Sequence, residues 1–468
     1  EMLVGQDRVQ LRLDGQLDEG RRVLGGQFAQ VVRRVEHQGG EEVVRLGDGL
    51  LQGGRAVLAA PVLEAGGDHP GGRVDPLHHA RHHEAVVHQE AARPQLAVAV
   101  QLGHRLGLVL VGAGHQVEQP GQRLEIRMRL AVQAVQLLAD QVNAAGGVLD
   151  GRSIEIIVED DRGDPDEARR VAGRLVEQGL VAVIGGYNSD ATEAASEVYD
   201  EAGLLQITPS STATRLTEKG YQHFFRVCFL DDRQGLFAAD FIVETLGYDR
   251  VALVHDGSAY SEGLADWTRR YLREKGADVV VYEGISPGQR DFNPLLDQLE
   301  GNESGSPSAE ALYFTGYYPE GGLLARQLAE RGLDVQFIAG NATNNPEFVE
   351  IAGTEAAAGA IITTEPLPQD MESREAQQFI AEYQEQYGEA PTSIWTLMAA
   401  DAFRVIVTAI EESGSTDSGV LAEQIRGMQG LTGVTGTIEG FDERGDRQGT
   451  VHVAYRVNEE GSFVRYQP

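Results

Sequence analysis

Cysteine is almost missing from this sequence: Cys228 stands alone, so no disulfide can form within the chain and no multi-cysteine zinc site can be built. Its surroundings, FFRVCF, read as an apolar run in which a lone thiol behaves as a small buried hydrophobe. Apolar runs are short throughout. None approaches the roughly 18 residues that a membrane-spanning helix needs. Basic residues are scarce too, with 39 Lys and Arg against 72 Asp and Glu. The resulting net charge of -33 repels polyanions, which excludes nucleic acid and anionic membrane surfaces as partners. What remains is an acidic chain of 468 residues, long enough for two or three domains.

Residues 1–125 lack still more: they contain no Lys, Ser, Thr, Asn, Ile, Tyr, Trp or Cys, and only one Phe, Phe28. They hold nine of the twelve histidines, including His78, His79, His82 and His83, but no carboxylate pattern that would make a metal site of them. Nearly every residue type present has a codon beginning with G or C. That bias suits an opposite-strand or misassigned translation, or a disordered low-complexity arm. Weak structure is expected here, because most turn and capping residues are missing. The 13 Arg and 16 acidic residues of this segment leave -30 of the charge on residues 126–468. The N-terminus shows no secretory leader pattern.

Beyond this boundary short apolar runs alternate with amphipathic segments. Ile154–Val158 reads as a buried strand. Asp164-Pro165 then starts a helix with Ala168, Val171, Ala172, Leu175 and Val176 on one face. Strands follow at Val181–Ile184 and Leu204–Ile207, with a helix over 190–202 between them. After an apparent linker at Asp231–Gly235 the rhythm restarts, with strands at Arg250–His255, Asp278–Tyr282, Ala311–Thr315, Val335–Ala339 and Ala360–Thr363. Such alternation predicts an α/β protein of two doubly wound parallel-sheet lobes joined by a hinge, after a poorly structured N-terminal segment. The expected partition is 1–125 as the atypical segment, 126–232 with 364–438 as lobe 1, and 233–363 with 439–468 as lobe 2. Gly301–Ser308 reads as a surface loop.

In doubly wound sheets, ligands bind beyond the carboxyl ends of the strands. Three loops there carry polar clusters: Gly185–Asp190, which leads into a helix; Thr208–Ala213, rich in hydroxyls; and Thr315–Glu320, with two tyrosines. Ser189 can sit where free helix N–H groups meet an anion. Ser210, Ser211 and Thr212 have no histidine beside them, which favours hydrogen bonding to a ligand over nucleophilic catalysis.

These residues lie in long phrases. NAAGGVLDGRSIEIIVEDDRGDP (143–165), IGGYNSDATEAASEVYDEAGLLQITPSSTATRLTEKGYQHFFR (184–226), DDRQG (231–235), VALVHDGSAYSEGLA (251–265), FTGYYPEGG (314–322) and QFIAG (336–340) resemble the periplasmic leucine/isoleucine/valine-binding proteins, colinearly from about Leu130 onward. The resemblance implies a non-enzymatic two-lobed clamp with three crossovers, without cofactor or metal. It implies a monomer outside the cytoplasm that delivers an amino acid or related small ligand to the membrane permease of an ABC transporter. It assigns the ligand carboxylate to Ser189 and the Ser210–Thr212 region, with Ser211 between them. Tyr260 and Tyr317 approach from the second lobe, Tyr317 near the ammonium. Where relatives commonly place an acidic residue after QFIAG, Asn341 stands here, so Asp256, Glu262 or Glu320 would have to supply a countercharge, or the ligand would be an amide or an aromatic acid. Only Leu106–Gly114 resembles the first strand of the fold. Gly163 and Asn188 occupy the two positions of a disulfide seen in some relatives. A sensing module of the same fold is the alternative, and an enzyme ranks behind both.

Overall fold

The computed structural model describes residues 124–301 and 308–467, together with five strands nearer the N-terminus: Met2–Gly5 (β1), Arg8–Leu11 (β2), Ala29–Gln38 (β3), Glu41–Gly49 (β4) and Arg105–Gly112 (β5). The histidine cluster at 78–83 and most of the 301–308 loop lie outside the described residues. The chain forms two units, Glu1–Arg93 and Pro94–Pro468. Within the first, β1 to β4 make an antiparallel sheet of order β2-β1-β4-β3. The expectation of weak structure over the remainder of 1–125 falls mostly on residues outside those described.

The second unit alternates strand and helix from its start. Its first lobe runs through α1 (Leu124–Ala144), β6 (Ser153–Asp160), α2 (Pro165–Val176), β7 (Ala182–Ile184), α3 (Ser189–Glu201), β8 (Leu205–Thr208) and β9 (Phe224–Arg226). The five parallel strands are ordered β6-β5-β7-β8-β9. β5 is central: Arg105–Gly112 pairs residue for residue with Ser153–Asp160, and Leu108–Leu110 pairs with β7. The strand resembled by Leu106–Gly114 is therefore present, and the lobe begins well before residue 126. α2 shows why the sequence was readable here. The Asp164 side chain accepts the Glu167 N–H, Pro165 opens the first turn, and Ala168, Val171, Ala172 and Leu175 are buried.

The second lobe follows with α4 (Asp231–Asp240), β10 (Arg250–His255), α5 (Ala259–Glu274), β11 (Asp278–Gly284), α6 (Asn293–Leu299), β12 (Ala311–Phe314), α7 (Tyr318–Glu330), β13 (Gln336–Ala339), α8 (Pro346–Ala352), α9 (Thr354–Ala357) and β14 (Ile361–Thr364). The chain then returns to the first lobe for α10 (Arg374–Tyr387), α11 (Ile394–Ser413), α12 (Ser418–Gly427) and the hairpin β15 (Leu431–Gly433) and β16 (Gly436–Ile438). It crosses once more to add β17 (Val453–Val457) and β18 (Phe463–Arg465). The second sheet has order β11-β10-β12-β13-β14-β17-β18, parallel up to β14 and antiparallel thereafter. Apolar clusters cover both faces of both sheets.

Two further features differ from the sequence-based partition. Asp231–Gly235, read as a linker, is the first turn of α4. Gly235 lies inside a helix because it packs against α5, where a Cβ would stand 3.0 Å from Thr268 N and Trp267 Cβ. The last crossover also falls later than residue 439. Phe441 packs on Phe225, and Asp446 and Arg447 are tied to Arg226 and Val227, all in the first lobe.

Candidate functional site

Both sheets reverse their winding beside a central strand, between β5 and β7 in one lobe and between β10 and β12 in the other. Crevices at the carboxyl ends of strands open at such switch points. The loops there are 185–188 after β7, 256–258 after β10 and 315–317 after β12; the last carries Tyr317, and the first two lead into the helices that hold Ser189 and Tyr260. The lobes touch across this region. The Asp190 carboxylate accepts the Ala259 N–H at 3.0 and 3.2 Å, and Trp267 Nε1 donates to Thr214 Oγ1 at 3.3 Å. Burial raises the Asp190 pKa, partly offset by the Ala259 N–H and by Arg215.

The anion-receiving side is built from α3 and the 208–213 loop. α3 has no side-chain cap on its first turn, and Ser189 is 2% exposed. The Ser189 hydroxyl accepts the Ala213 N–H at 3.4 Å, which leaves its own proton to donate. Ser210 and Ser211 mainly tie the two loops together. Both hydroxyls reach the Gly186 and Tyr187 carbonyls at 3.2–3.4 Å, and Ser211 also meets Thr192 Oγ1 at 2.6 Å. Ser211 is fully buried, and these bonds fix the loop against α3. Thr212 is 3% exposed, and its carbonyl accepts the Asp231 N–H at 3.1 Å.

Arg226 braces this loop from beneath. Its guanidinium donates to the carbonyls of Ser211 and Ala213 at 2.9 and 3.0 Å and to Thr217 Oγ1 at 2.8 Å, and it pairs with Asp446 at 2.5 Å. Cys228 is buried beside it, and burial pushes its thiol pKa up.

From the second lobe, Tyr260 and Tyr317 stand with ring centroids 5.5 Å apart, and Tyr317 hydrogen-bonds the Asn188 side chain across the cleft. The Tyr260 hydroxyl donates to Asn341 Oδ1 at 2.9 Å and accepts the Ala342 N–H at 3.3 Å. Gly340 permits this approach, since a Cβ there would sit 2.7 Å from the Tyr260 hydroxyl. Of the seven residues predicted from sequence, Ser189, Ser210, Ser211 and Thr212 come together at the start of α3 and the 208–213 loop, and Tyr260, Tyr317 and Asn341 come together in the second lobe. The three acids considered as a countercharge are placed differently from one another. Asp256 Oδ1 caps the turn into α5 through Ser258, Glu320 accepts the Gly288 N–H, and Glu262 is exposed.

Two acids that sequence reasoning passed over stand at the crossovers instead. Glu365 follows β14 and is 1% exposed; its oxygens lie 3.4 Å from Asn341 Nδ2, and Thr364 Oγ1 donates to one of them at 3.2 Å. Asp231 is fully buried and neither of its oxygens accepts a regular hydrogen bond. Burial pushes Asp231 up to about 8, with Thr212 and Arg226 opposing and Glu365 adding to the rise. Burial likewise pushes Glu365 up to about 7, against its hydrogen bonds. His452, on the third crossover, lies 3.9 Å from Glu365 and is held down to about 4 by burial, so it is neutral near pH 7. No group of three or more His, Cys, Asp or Glu suited to a metal occurs among the described residues. The string Gly284–Gly288 has the G-x-S-x-G spacing, but it leaves edge strand β11 for irregular coil and Ser286 is exposed, so it forms no nucleophile elbow.

These shifts set a pH dependence. An acid whose folded pKa is raised contributes stability that is complete below its unfolded pKa and is lost as pH rises through the folded value. Asp161, also pushed up to about 8 by burial, acts in the same sense as Asp231 and Glu365. His452 opposes them only below about 6.5, its ordinary value. Ligand-free protein is therefore expected to melt at a lower temperature at pH 8 than at pH 6.5. Calorimetric scans showing a flat or rising melting temperature over that window would contradict these assignments.

The sequence matches the periplasmic binding protein family model over residues 125–461. It is 35% identical over 323 residues to the leucine-, isoleucine-, valine-, threonine-, and alanine-binding protein of Pseudomonas aeruginosa, covering 69% of this chain and 83% of that one. It is 34% identical to Leu/Ile/Val-binding protein homolog 1 of Brucella abortus, covering 76% and 92%. Among solved structures, a leucine binding protein from Thermotoga maritima superposes with a TM-score of 0.69 at 29% identity, covering 77% of this chain and 98% of that one. A branched-chain amino acid transporter substrate binding protein from Streptococcus pneumoniae, in complex with isoleucine, gives 0.67 at 27% identity, with 77% and 97% covered.

Proposed function

The chain belongs to the periplasmic binding protein family, and from that premise we propose that it is the extracytoplasmic solute-binding component of an ABC transporter, closing over a branched-chain amino acid or a related small carboxylate or amide. The observation that carries this is the opposition of two chemistries across one crevice. Uncapped helix N–H groups with the Ser189 and Thr212 hydroxyls lie on the first lobe, and Tyr260, Tyr317 and Asn341 lie on the second. Free N–H groups at a helix start suit a carboxylate. Contacts drawn from both lobes let a ligand favour the closed form over the open one, which is what couples binding to recognition by a membrane permease. The relatives' names supply the ligand class. The protein acts as a monomer in this reading, since the site is complete within one chain.

Titration calorimetry against leucine, isoleucine, valine, their amides and aromatic acids tests the proposal. Saturable binding of one class is expected, and heat-free titrations with all of them would defeat it. Thr212→Ala and Tyr317→Ala are each expected to weaken binding about threefold to tenfold, the worth of a neutral hydrogen bond. Their melting temperatures should stay near that of the parent. Unchanged dissociation constants would remove both residues from the site.

A further inference from the structure

We propose that Glu365, at the carboxyl end of β14, receives the ligand's ammonium group in this chain, with Asn341 acting as its holder. The inference rests on the amino-acid reading above and names the residue that decides between an amino acid and a plain carboxylic acid.

The Asn341 side chain is committed on both ends: its carbonyl accepts from Tyr260 and its amide points at both Glu365 oxygens. It therefore fixes the carboxylate in place without neutralising it. The remaining neighbours of Glu365 are neutral as well. They are the Thr364 hydroxyl and His452, which burial keeps unprotonated. Asp231 stands close enough to repel it, and Arg226, the cation that opposes the rise at Asp231, is already paired with Asp446. Two buried acids thus share one place without a positive partner from the protein among the described residues. A buried acid must either hold a proton or meet a cation.

The position of these acids suits an α-amino acid. Asp231 is hydrogen-bonded through its N–H to the Thr212 carbonyl, which puts the acidic pair next to the carboxylate-receiving loop. A ligand with carboxylate and ammonium on one carbon presents its two charges at that short spacing. The pair also lies on crossovers, Asp231 on the first and Glu365 on the second. An ammonium bound there would relieve repulsion at the hinge as the lobes close. A single positive charge is the partner proposed, since no group of three or more His, Cys, Asp or Glu that could hold a metal occurs among the described residues.

The test compares L-leucine with 4-methylpentanoate, which has the same carbon skeleton and carboxylate but no ammonium. In the full chain, Glu365→Gln is expected to weaken leucine binding by about tenfold to a hundredfold, the range for a charge-assisted hydrogen bond. Binding of 4-methylpentanoate should change by less than about threefold or improve. Asn341→Asp placed on top of Glu365→Gln should recover most of the leucine affinity. Leucine affinity unchanged in Glu365→Gln, or an equal loss for both ligands, would overturn the proposal and leave Glu365 a structural hinge residue. The parent protein provides a second reading if the variant fails to fold. Between about pH 6 and pH 8, leucine should bind more tightly as Glu365 and Asp231 ionise, while 4-methylpentanoate should not. Over that range His452 stays neutral and Tyr260 stays protonated. Parallel pH profiles for the two ligands would also overturn it. If the parent binds no α-amino acid at all, it is the clamp reading that falls.

Discussion

Arg226→Ala is expected to cost about 3–5 kcal/mol of folding stability, the usual penalty for removing one member of a buried ion pair. The side chain is fully buried and meets four groups: Asp446, the Ser211 and Ala213 carbonyls, and Thr217. Truncation leaves Asp446, itself 5% exposed, with only Thr217 Oγ1 as a side-chain partner. Burial already raises the Asp446 pKa even with Arg226 beside it, and loss of the guanidinium would raise it further. Two carbonyls of the ligand loop lose their donors at the same time. Urea denaturation of the variant measures the loss, and a change below about 1 kcal/mol would mean that the pair contributes little. The double variant Arg226→Met with Asp446→Leu separates the two roles. It should recover much of the stability, because apolar replacement of a buried pair is often close to neutral. Its ligand affinity should remain low, since nothing then holds the Ser210–Ala213 loop in shape.

Local pattern made much of this fold legible. The strand at 153–160 and helix α2 declare themselves through β-branched runs, the Asp164 cap and a 3.6-residue apolar period, and the structure places them within a residue or two of those expectations. The carboxyl-end loops were legible for a related reason: their positions follow from strand–helix alternation alone. What local pattern could not convey was anything decided by segments distant in the chain. Glu365 reads as one acid among many in an acidic sequence. Its meaning arises only when β14 ends beside Asn341 and Tyr260 and the crossovers bring Asp231 and His452 to it. Ser210 and Ser211 looked equivalent, and both hydroxyls do turn to the Gly186 and Tyr187 carbonyls, but Ser211 also meets Thr192 on α3. Gly235 looked like a linker glycine because a helix interior seldom favours one. A neighbouring helix at contact distance is what selects it. β5 was obscured by composition, since its surroundings carry none of the residue types that mark the rest of the protein.

That obscured strand supports the other large prediction, which concerns where the chain can be cut. A protein beginning at Pro94 keeps the whole second unit and is expected to unfold cooperatively and to gain melting temperature with ligand, as the full chain does. A protein beginning at residue 126 loses β5 and the first two residues of α1. In the first sheet β6 pairs with no strand other than β5, so the cut separates β6 from β7, β8 and β9. Eight residue pairs on one side and three on the other lose their partners, and β7 is buried along its whole length. Each buried backbone group left unpaired costs about 1–3 kcal/mol, so a handful of them exceeds the roughly 5–15 kcal/mol that holds an ordinary domain together. The shorter protein should therefore lack a cooperatively folded first lobe and lose the ligand response with it, because Ser189 and Thr212 follow β7 and β8. Circular dichroism melts with and without leucine distinguish the two shortened proteins. Cooperative melting and a full ligand shift from residues 126–468 would show that β5 is dispensable, and would return the lobe boundary to the composition break.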